Sequence, residues 1–441
     1  MKIGEISYWY QEIGGIPNYR PPLSGDRKVD VCIIGAGYTG LWTAYYLKKA
    51  DPKLKIIVIE KEFAGYGASG RNGGWLTGGF AWNFERYGPN VADLVKALKG
   101  SVREIIDIAK AEGIDADIHE TQELTLATNP AQLTRMQAEI QERHDHGEGD
   151  VYALNAEELS KRVNTPALGA MVTPNVASVQ PAKLVRGLAK VVEQMGVEIF
   201  EKTEVTAFET SIVRTNNGTI RADVILRATE GYTPNFRATH RDFIPLNSAQ
   251  IITEPLSQEI WDDLKWSGKE LIGDFDHIYC YCRPTHDGRI AVGSRGTPYL
   301  FGSRTDTDGA PDRATIDGLK TILARHFPQA ASSKIDHAWC GVLGVPRDWC
   351  ASVGFDQQSK IGWAGGYVGV GVSTTNLAAR TLADLALNKT TDLTQLPWVN
   401  RTPKKWEHEP FRWIGIRAMY GILRYADHQE RNQLTPARLA N

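Results

Sequence analysis

The chain lacks a charge surplus. Its 50 Lys and Arg stand against 52 Asp and Glu, a formal charge of −2. No basic field is available to hold a nucleic-acid backbone. Cysteine is sparse and odd in number: Cys32, Cys280, Cys282, Cys340 and Cys350 are the five in 441 residues. That excludes a disulfide framework, so all five read as reduced thiols in a cytoplasmic protein. Cys280 and Cys282 alternate as in a strand but lack a second pair or histidines at zinc spacing, so no metal site is expected. No apolar run approaches the length of a membrane span. The first residues do not combine a charged start with an apolar core, so neither a transmembrane helix nor a signal peptide is expected. Internal repeats and low-complexity tracts are also missing. What remains is an ordinary globular composition, 42% apolar and 23% charged, long enough for two or three domains.

Glycine is where the information lies. Val29-Asp-Val-Cys-Ile-Ile-Gly-Ala-Gly-Tyr-Thr-Gly40 reads as a buried strand running into a phosphate-binding turn, continued as helix from Leu41 to Leu47. Gly35 suits the tight turn, Gly37 lets backbone approach a pyrophosphate, and Gly40 lets helix pack on strand. Tyr38 and Thr39 open the helix, whose amides point at negative charge. About twenty residues on, Lys55-Ile-Ile-Val-Ile-Glu60 is a second β-branched strand ending in a carboxylate, where a βαβ unit holds a ribose 2′-hydroxyl. Lys61 adjoins it. A carboxylate there disfavours a 2′-phosphate and hence NADP.

The next segment favours FAD over NAD. Gly65-Tyr-Gly-Ala-Ser-Gly-Arg-Asn-Gly-Gly74 is half glycine and suits neither helix nor packed strand. Gly67, Ala68, Ser69, Gly73 and Gly74 offer backbone to a large polar cofactor. Arg71 suits its pyrophosphate, and Asn72 adds a polar group. No second G-x-G-x-x-G follows a strand, so one dinucleotide site is expected and a separate pyridine-nucleotide module is not.

These two motifs together resemble the D-amino-acid-oxidase-type flavoproteins, and within them the chain is most similar to the γ-glutamylputrescine oxidase branch. Further landmarks occur in family order: Ser7-Tyr-Trp-Tyr10 to Pro21-Pro-Leu23, Val179 to Leu188, Ala228-Thr-Glu-Gly231, Thr253 to Leu256, Arg283 to Gly293, and Trp363 to Val372. The resemblance implies an α/β (α+β) protein. A discontinuous Rossmann-type FAD-binding domain would comprise 1–90, 165–240 and 340–397. A mixed or antiparallel-sheet substrate domain would comprise 91–164 and 241–339. Residues 398–441 would form a C-terminal helical segment docked on the body. Further FAD contacts are then expected at Val205, Thr229, Gly231, Gly366, Gly369, Val370, Gly371 and Val372. The resemblance also leaves Cys340 open as a flavin attachment point.

The implied reaction is oxidation of a primary or secondary amine, γ-glutamylputrescine-like or related. The carbon beside the neutral amine gives hydride to flavin N5, the imine hydrolyses, and oxygen takes the electrons as hydrogen peroxide. An apolar aromatic pocket favours the free base by desolvation. An amino-acid oxidase or dehydrogenase, a hydroxy-acid dehydrogenase and a flavin-binding subunit of a hetero-oligomer are the alternatives. In the family, arginines that grip an α-carboxylate stand at the places of Leu343 and, roughly, Val368; both are apolar here. Arg347 and Arg283 are near enough in sequence to substitute. Tyr281, Arg283 and Trp75 are the candidate catalytic residues, with Trp82 as a further pocket wall. His286 is placed at a hairpin tip in Pro284-Thr-His-Asp-Gly288. In the C-terminal segment, Ile416, Met419, Tyr420 and Leu423 form an apolar helix face near Arg412, Arg417 and Arg424. It docks on the protein or lies on a membrane.

Overall fold

A computed structural model describes residues 1–79, 84–294, 299–305, 308–402 and 404–432. Two sheets organise them. The first is built on strand Arg27–Ile34, flanked in parallel by Ile56–Ile59 on one side and Gly218–Arg227 on the other, with Glu198–Phe200 and Ile361–Gly365 farther out. Burial on both faces explains why Val31-Cys-Ile-Ile34 is continuously apolar. Val31 and Ile33 pack with helices Tyr38–Ala50, Pro181–Gln194 and Gly371–Ala386, whereas Cys32 and Ile34 join Ile57, Val213 and Ile225 on the opposite face.

The second sheet has ten strands and is mostly antiparallel. Its longest pairing joins Phe243–Thr253 to Ile335–Pro346, with Gln250 opposite Trp339. Beyond Phe243–Thr253 lie Ile290–Ser294, Cys280–Pro284, Leu271–Asp274, His119–Ala127 and Gly169–Ser178. The expected Asp-Gly hairpin joins Cys280–Pro284 to Ile290–Ser294, with Gly288 at φ +79. The expected mixed α/β architecture is therefore present.

The sheets apportion the chain differently from the expected segments at several points. Strand Ile335–Pro346 stays in the second sheet past residue 340. Gly169–Ser178, Trp75–Leu76 and Lys2–Ile3 also pair there, although all three fall in segments assigned to the nucleotide side. Conversely, helix Val91–Ala111 lies in a segment assigned to the substrate side, yet Leu94, Leu98 and Ile105 share a core with Leu41, Trp42 and Leu377. Apolar periodicity reveals that a face is buried but not which sheet buries it.

A charged cluster lies against the second sheet, with Asp274, Asp276 and His326 buried. His326 lies 2.9 Å from the Asp274 carboxylate, Arg325 bridges Asp274 and Asp276 at 2.8 and 2.7 Å, and Gln132 donates to Asp276. Burial opposes the His326 imidazolium, but Cys280 and Asp274 beside it outweigh burial and hold its pKa up at about 9. This value lies above the ordinary histidine pKa, so the stabilisation is complete below about pH 6.5 and lost as pH rises through about 9. The Tm gap between wild type and His326→Gln is expected to be widest at about pH 6.5 and below and to close in alkali. It corresponds to about 3 kcal/mol at most. Thermal melts across that range check it.

Among the described residues, no helix is long and apolar enough to cross a membrane.

Candidate active site

The glycine turn is closed by its neighbours. Gly35 has φ +104, and a Cβ there would lie 2.5 Å from the Ala228 carbonyl oxygen. A Cβ on Gly37 would meet Ser69 Oγ at 2.9 Å, and one on Gly40 would meet the Gly35 carbonyl at 2.0 Å. The helix that follows has no side-chain cap at Gly37. Its Tyr38 N–H donates to Ser69 Oγ at 2.9 Å. The positive end of the helix dipole is thus left for an anion.

Glu60 stands beside this turn, accepting the N–H of Ala36 at 2.9 Å and of Glu62 at 3.0 Å. Burial pushes its carboxyl up to about 7, against the pull of those two donors. Lys61 pairs with Glu204, the residue before Val205, at 2.8 Å. The turn, the uncapped helix and the acid fit the pyrophosphate and ribose of a dinucleotide.

The 65–74 loop is held by its carbonyls. Ser7 Oγ donates to the Gly70 carbonyl at 2.8 Å and Trp9 Nε1 to that of Asn72 at 2.8 Å. Gln250 Nε2 and Trp339 Nε1 both donate to the Arg71 carbonyl, at 2.6 and 2.9 Å. Arg283 Nε donates to the Gly73 carbonyl at 2.8 Å. The N-terminal arm and the second sheet therefore grip four consecutive carbonyls. Asn72 braces the loop internally, donating to the carbonyls of Ala68 and Ser69 and accepting the Gly74 N–H.

Arg71 departs from its expected role. It is fully buried, donates to the carbonyls of Tyr66 and Cys340, and lies over the Tyr66 ring at 4.4 Å. It pins the loop to strand Ile335–Pro346.

Tyr281 and Arg283 share a face of strand Cys280–Pro284, as period two requires, with Cys280 and Cys282 in the core behind them. Tyr281 covers two glycines: a Cβ on Gly293 would lie 2.2 Å from its ring, and one on Gly73 would lie 2.8 Å away. Its hydroxyl bonds Ser248 Oγ at 2.8 Å, and Trp75 meets it edge-on at 6.2 Å between ring centroids. Tyr281 and Trp75 thus converge at Gly73.

Arg283 is buried, stacked 4.5 Å over the Trp9 ring and bonded to the loop. Burial lowers its pKa to about 10, against the nearby Glu12, Asp117 and Asp287. This geometry makes it a loop support, not the substrate anchor that the sequence offered. Arg347 lies at the surface on Glu407, at 3.0 and 3.2 Å. His286 is exposed, as a hairpin tip should be. Trp82 lies outside the described residues. Cys340 packs in the apolar core with Ala249 and Ala338, on the strand face opposite Trp339.

The last glycine segment is tied in by a residue that the sequence reading passed over. Glu230, between the expected Thr229 and Gly231, turns its carboxylate inward. It accepts the N–H groups of Gly366 at 2.9 Å, and of Gly344 and Tyr367 at 3.2 Å each. Burial pushes it up to about 7, against these three donors and Arg227. Gly231 fits because a Cβ would meet Val342 at 2.7 Å. The turn carries positive φ at Gly366, Val368 and Gly369. Its Tyr367 hydroxyl reaches Thr39 at 2.9 Å. Helix Gly371–Ala386 then starts at Val370 without a side-chain cap. Two uncapped helix starts are therefore linked through Thr39 and Tyr367, with Gly371 and Val372 in the second. A carboxylate in an A-T-x-G turn was the available signal for Glu230, but its three donors come from segments more than a hundred residues away.

Comparison with known proteins agrees with this geometry. A profile of the DAO family, described as FAD dependent oxidoreductase, matches residues 30–385. The chain is 29% identical to a probable oxidoreductase OrdL of Haemophilus influenzae, over 83% of this chain and 85% of that one. It is 28% identical to gamma-glutamylputrescine oxidoreductase of Escherichia coli, over 82% and 84%. In fold it is similar to glycine oxidase from Geobacillus kaustophilus, with a TM-score of 0.72 at 20% identity, covering 85% of this chain and 99% of that one. It is also similar to L-proline dehydrogenase from P. horikoshii, with a TM-score of 0.69 at 20% identity over 85% and 98%. With the family profile spanning most of the chain and the dinucleotide cradle formed by its glycines, this protein belongs to the DAO family of FAD-dependent oxidoreductases.

Proposed function

We propose that the protein oxidises a primary or secondary amine that carries no α-carboxylate at the reacting carbon, a γ-glutamylputrescine-like or related amine. One observation carries the reading. Period two puts Trp339, Gly341 and Leu343 on one face of their strand, and Trp339 and Gly341 both meet the 65–74 loop. Leu343 shares that face, at the place where the resemblance puts the family's carboxylate-binding arginine. Arg283 and Arg347, the two substitutes, are engaged with the Gly73 carbonyl and with Glu407. Val368 sits among Leu246, Val345 and Trp406.

The residues that would hold FAD are Gly35, Gly37, Tyr38, Thr39, Gly40 and Glu60 at the nucleotide end and Gly67–Gly74 with Gly366–Val372 at the ring end. Bound there, FAD supplies the two-electron acceptor for carbon–nitrogen oxidation. Tyr281 and Trp75 would wall the substrate side, orienting the amine and excluding water so that the free base is favoured. Ser248 fixes the Tyr281 hydroxyl. Amine, water and oxygen would give a carbonyl compound, the released amine or ammonia, and hydrogen peroxide.

The test is an anaerobic screen of amines, α-amino acids and hydroxy acids, following loss of flavin absorbance, then peroxide release in air. Bleaching by amines and not by α-amino or hydroxy acids is expected. Faster bleaching by glycine or D-alanine than by any amine would overturn the reading.

A further inference from the structure

Helix Phe411–Asn432 has two apolar faces, and the fold uses one. Trp413, Ile416 and Tyr420 pack on Ile244, Leu246, Val345, Val368 and Val370. Farther along, Asp427 accepts the N–H groups of His277 and Ile278 at 2.7 and 3.2 Å, and Glu430 pairs with Arg135 at 2.7 Å. These contacts hold one face of the helix against the body, and Met419 is not part of them. It belongs with Phe411, Ile414, Ile422 and Tyr425 on the outer half, where these five are 55, 72, 53, 62 and 64% exposed. They make up five of the thirteen exposed large apolar side chains among the described residues. Scattered exposed apolar residues need no explanation, but five along one helix do. Segment Tyr299–Ser303 is tied to the helix start through Glu409, which accepts from Tyr299 Oη and Gly302 N–H, and it adds exposed Leu300 and Phe301.

Charge identifies the occupant. Residues 411–426 contain no Asp or Glu. The helix's two carboxylates, Asp427 and Glu430, are both engaged by the body of the protein. Arg417 and Arg424 are exposed and, by helical spacing, lie together along one edge of the apolar stripe. A second copy laid on this stripe would bring the same arginines to the seam with no carboxylate from its own residues 411–426 to meet them. Anionic headgroups supply that complement, and the acyl boundary takes the apolar side chains.

We propose that the outer face of this helix lies in the interface of an anionic lipid surface, as a peripheral anchor. Because the inner face touches Val368 and Val370, docking sets the last glycine segment beside the lipid.

The experiment uses the full chain with its flavin. Co-sedimentation is measured with pure phosphatidylcholine vesicles and with vesicles containing one-quarter phosphatidylglycerol. Binding to the anionic vesicles, weakened by high salt, is expected. The pair Arg417→Gln/Arg424→Gln should bind about thirtyfold more weakly. Ile414→Ser/Ile422→Ser should lose binding in both, with flavin content and turnover unchanged because these side chains point outward. Failure to bind either vesicle, or equal binding by all three proteins, would overturn the proposal. So would a dimer, seen by light scattering, that the isoleucine pair abolishes, since the face would then join two copies of the chain.

Discussion

Glu230→Ala is expected to purify without flavin, or not to fold. The carboxylate is the acceptor for three backbone N–H groups, those of Gly344, Gly366 and Tyr367. Each, left buried without an acceptor, costs about 1–3 kcal/mol. Even if water entering the space halves the total, the loss is a large fraction of the roughly 5–15 kcal/mol that keeps a domain folded. The damage is also focused: Gly366 and Tyr367 open the turn leading to helix Gly371–Ala386, and Gly344 lies on the strand that carries Leu343. Glu230→Gln keeps a carbonyl acceptor but turns an NH2 toward one of the donors, so partial flavin retention is expected. The ratio of flavin to protein absorbance, with Tm, checks both. An alanine variant with full flavin content would show that the turn stands without its tie.

Gly293→Ala is expected to keep its flavin and lose turnover. A Cβ there would lie 2.2 Å from two ring atoms of Tyr281 and 2.5 Å from its hydroxyl oxygen. Ring atoms on a buried strand have no room to yield by a few tenths of an ångström, so Tyr281 must swing off Ser248 and off its edge contact with Trp75. Displacing a group that positions substrate by about 1 Å costs about a hundredfold in kcat/KM. Overpacking adds about 1–3 kcal/mol of lost stability. The carbonyl grip on the 65–74 loop does not involve Tyr281, so flavin content should hold. Tyr281→Phe keeps the ring and loses only the bond to Ser248, so a smaller effect, mainly on KM, is expected. Native kcat/KM in Gly293→Ala would remove Tyr281 from the substrate side.

The nucleotide end was legible because its requirements are local. A strand, a turn that only glycine can make, a helix and a second strand ending in Glu60 all fall within about thirty residues, and backbone geometry ties each to the next. The candidates at the ring end were half legible. Tyr281 and Trp75 do converge on Gly73, yet nothing in the order of residues could say that Arg283, on the same face two positions along, would be consumed by the Gly73 carbonyl and the Trp9 ring. The surroundings of Arg71 were illegible for a related reason. A cation in a glycine loop suits a phosphate, but here the guanidinium also donates to the Tyr66 and Cys340 carbonyls, the second of them from a strand 269 residues along the chain. The sheets and cores divide the chain differently from the expected segments at residue 340 and around helix Val91–Ala111, because periodicity reports burial and not the burying partner.

The sequence by itself determined the cofactor turn, the strand–helix order and the absence of an arginine at 343, since these depend on residue identity and on neighbours within a few turns of chain. Tertiary structure alone decided that Glu230 joins three distant segments, that Ser7, Trp9, Gln250, Trp339 and Arg283 grip one loop by its carbonyls, and that the last helix buries one apolar face and leaves the other bare. The physical reason is that a hydrogen bond or a buried face needs a partner, and across hundreds of residues only the folded path of the chain selects it.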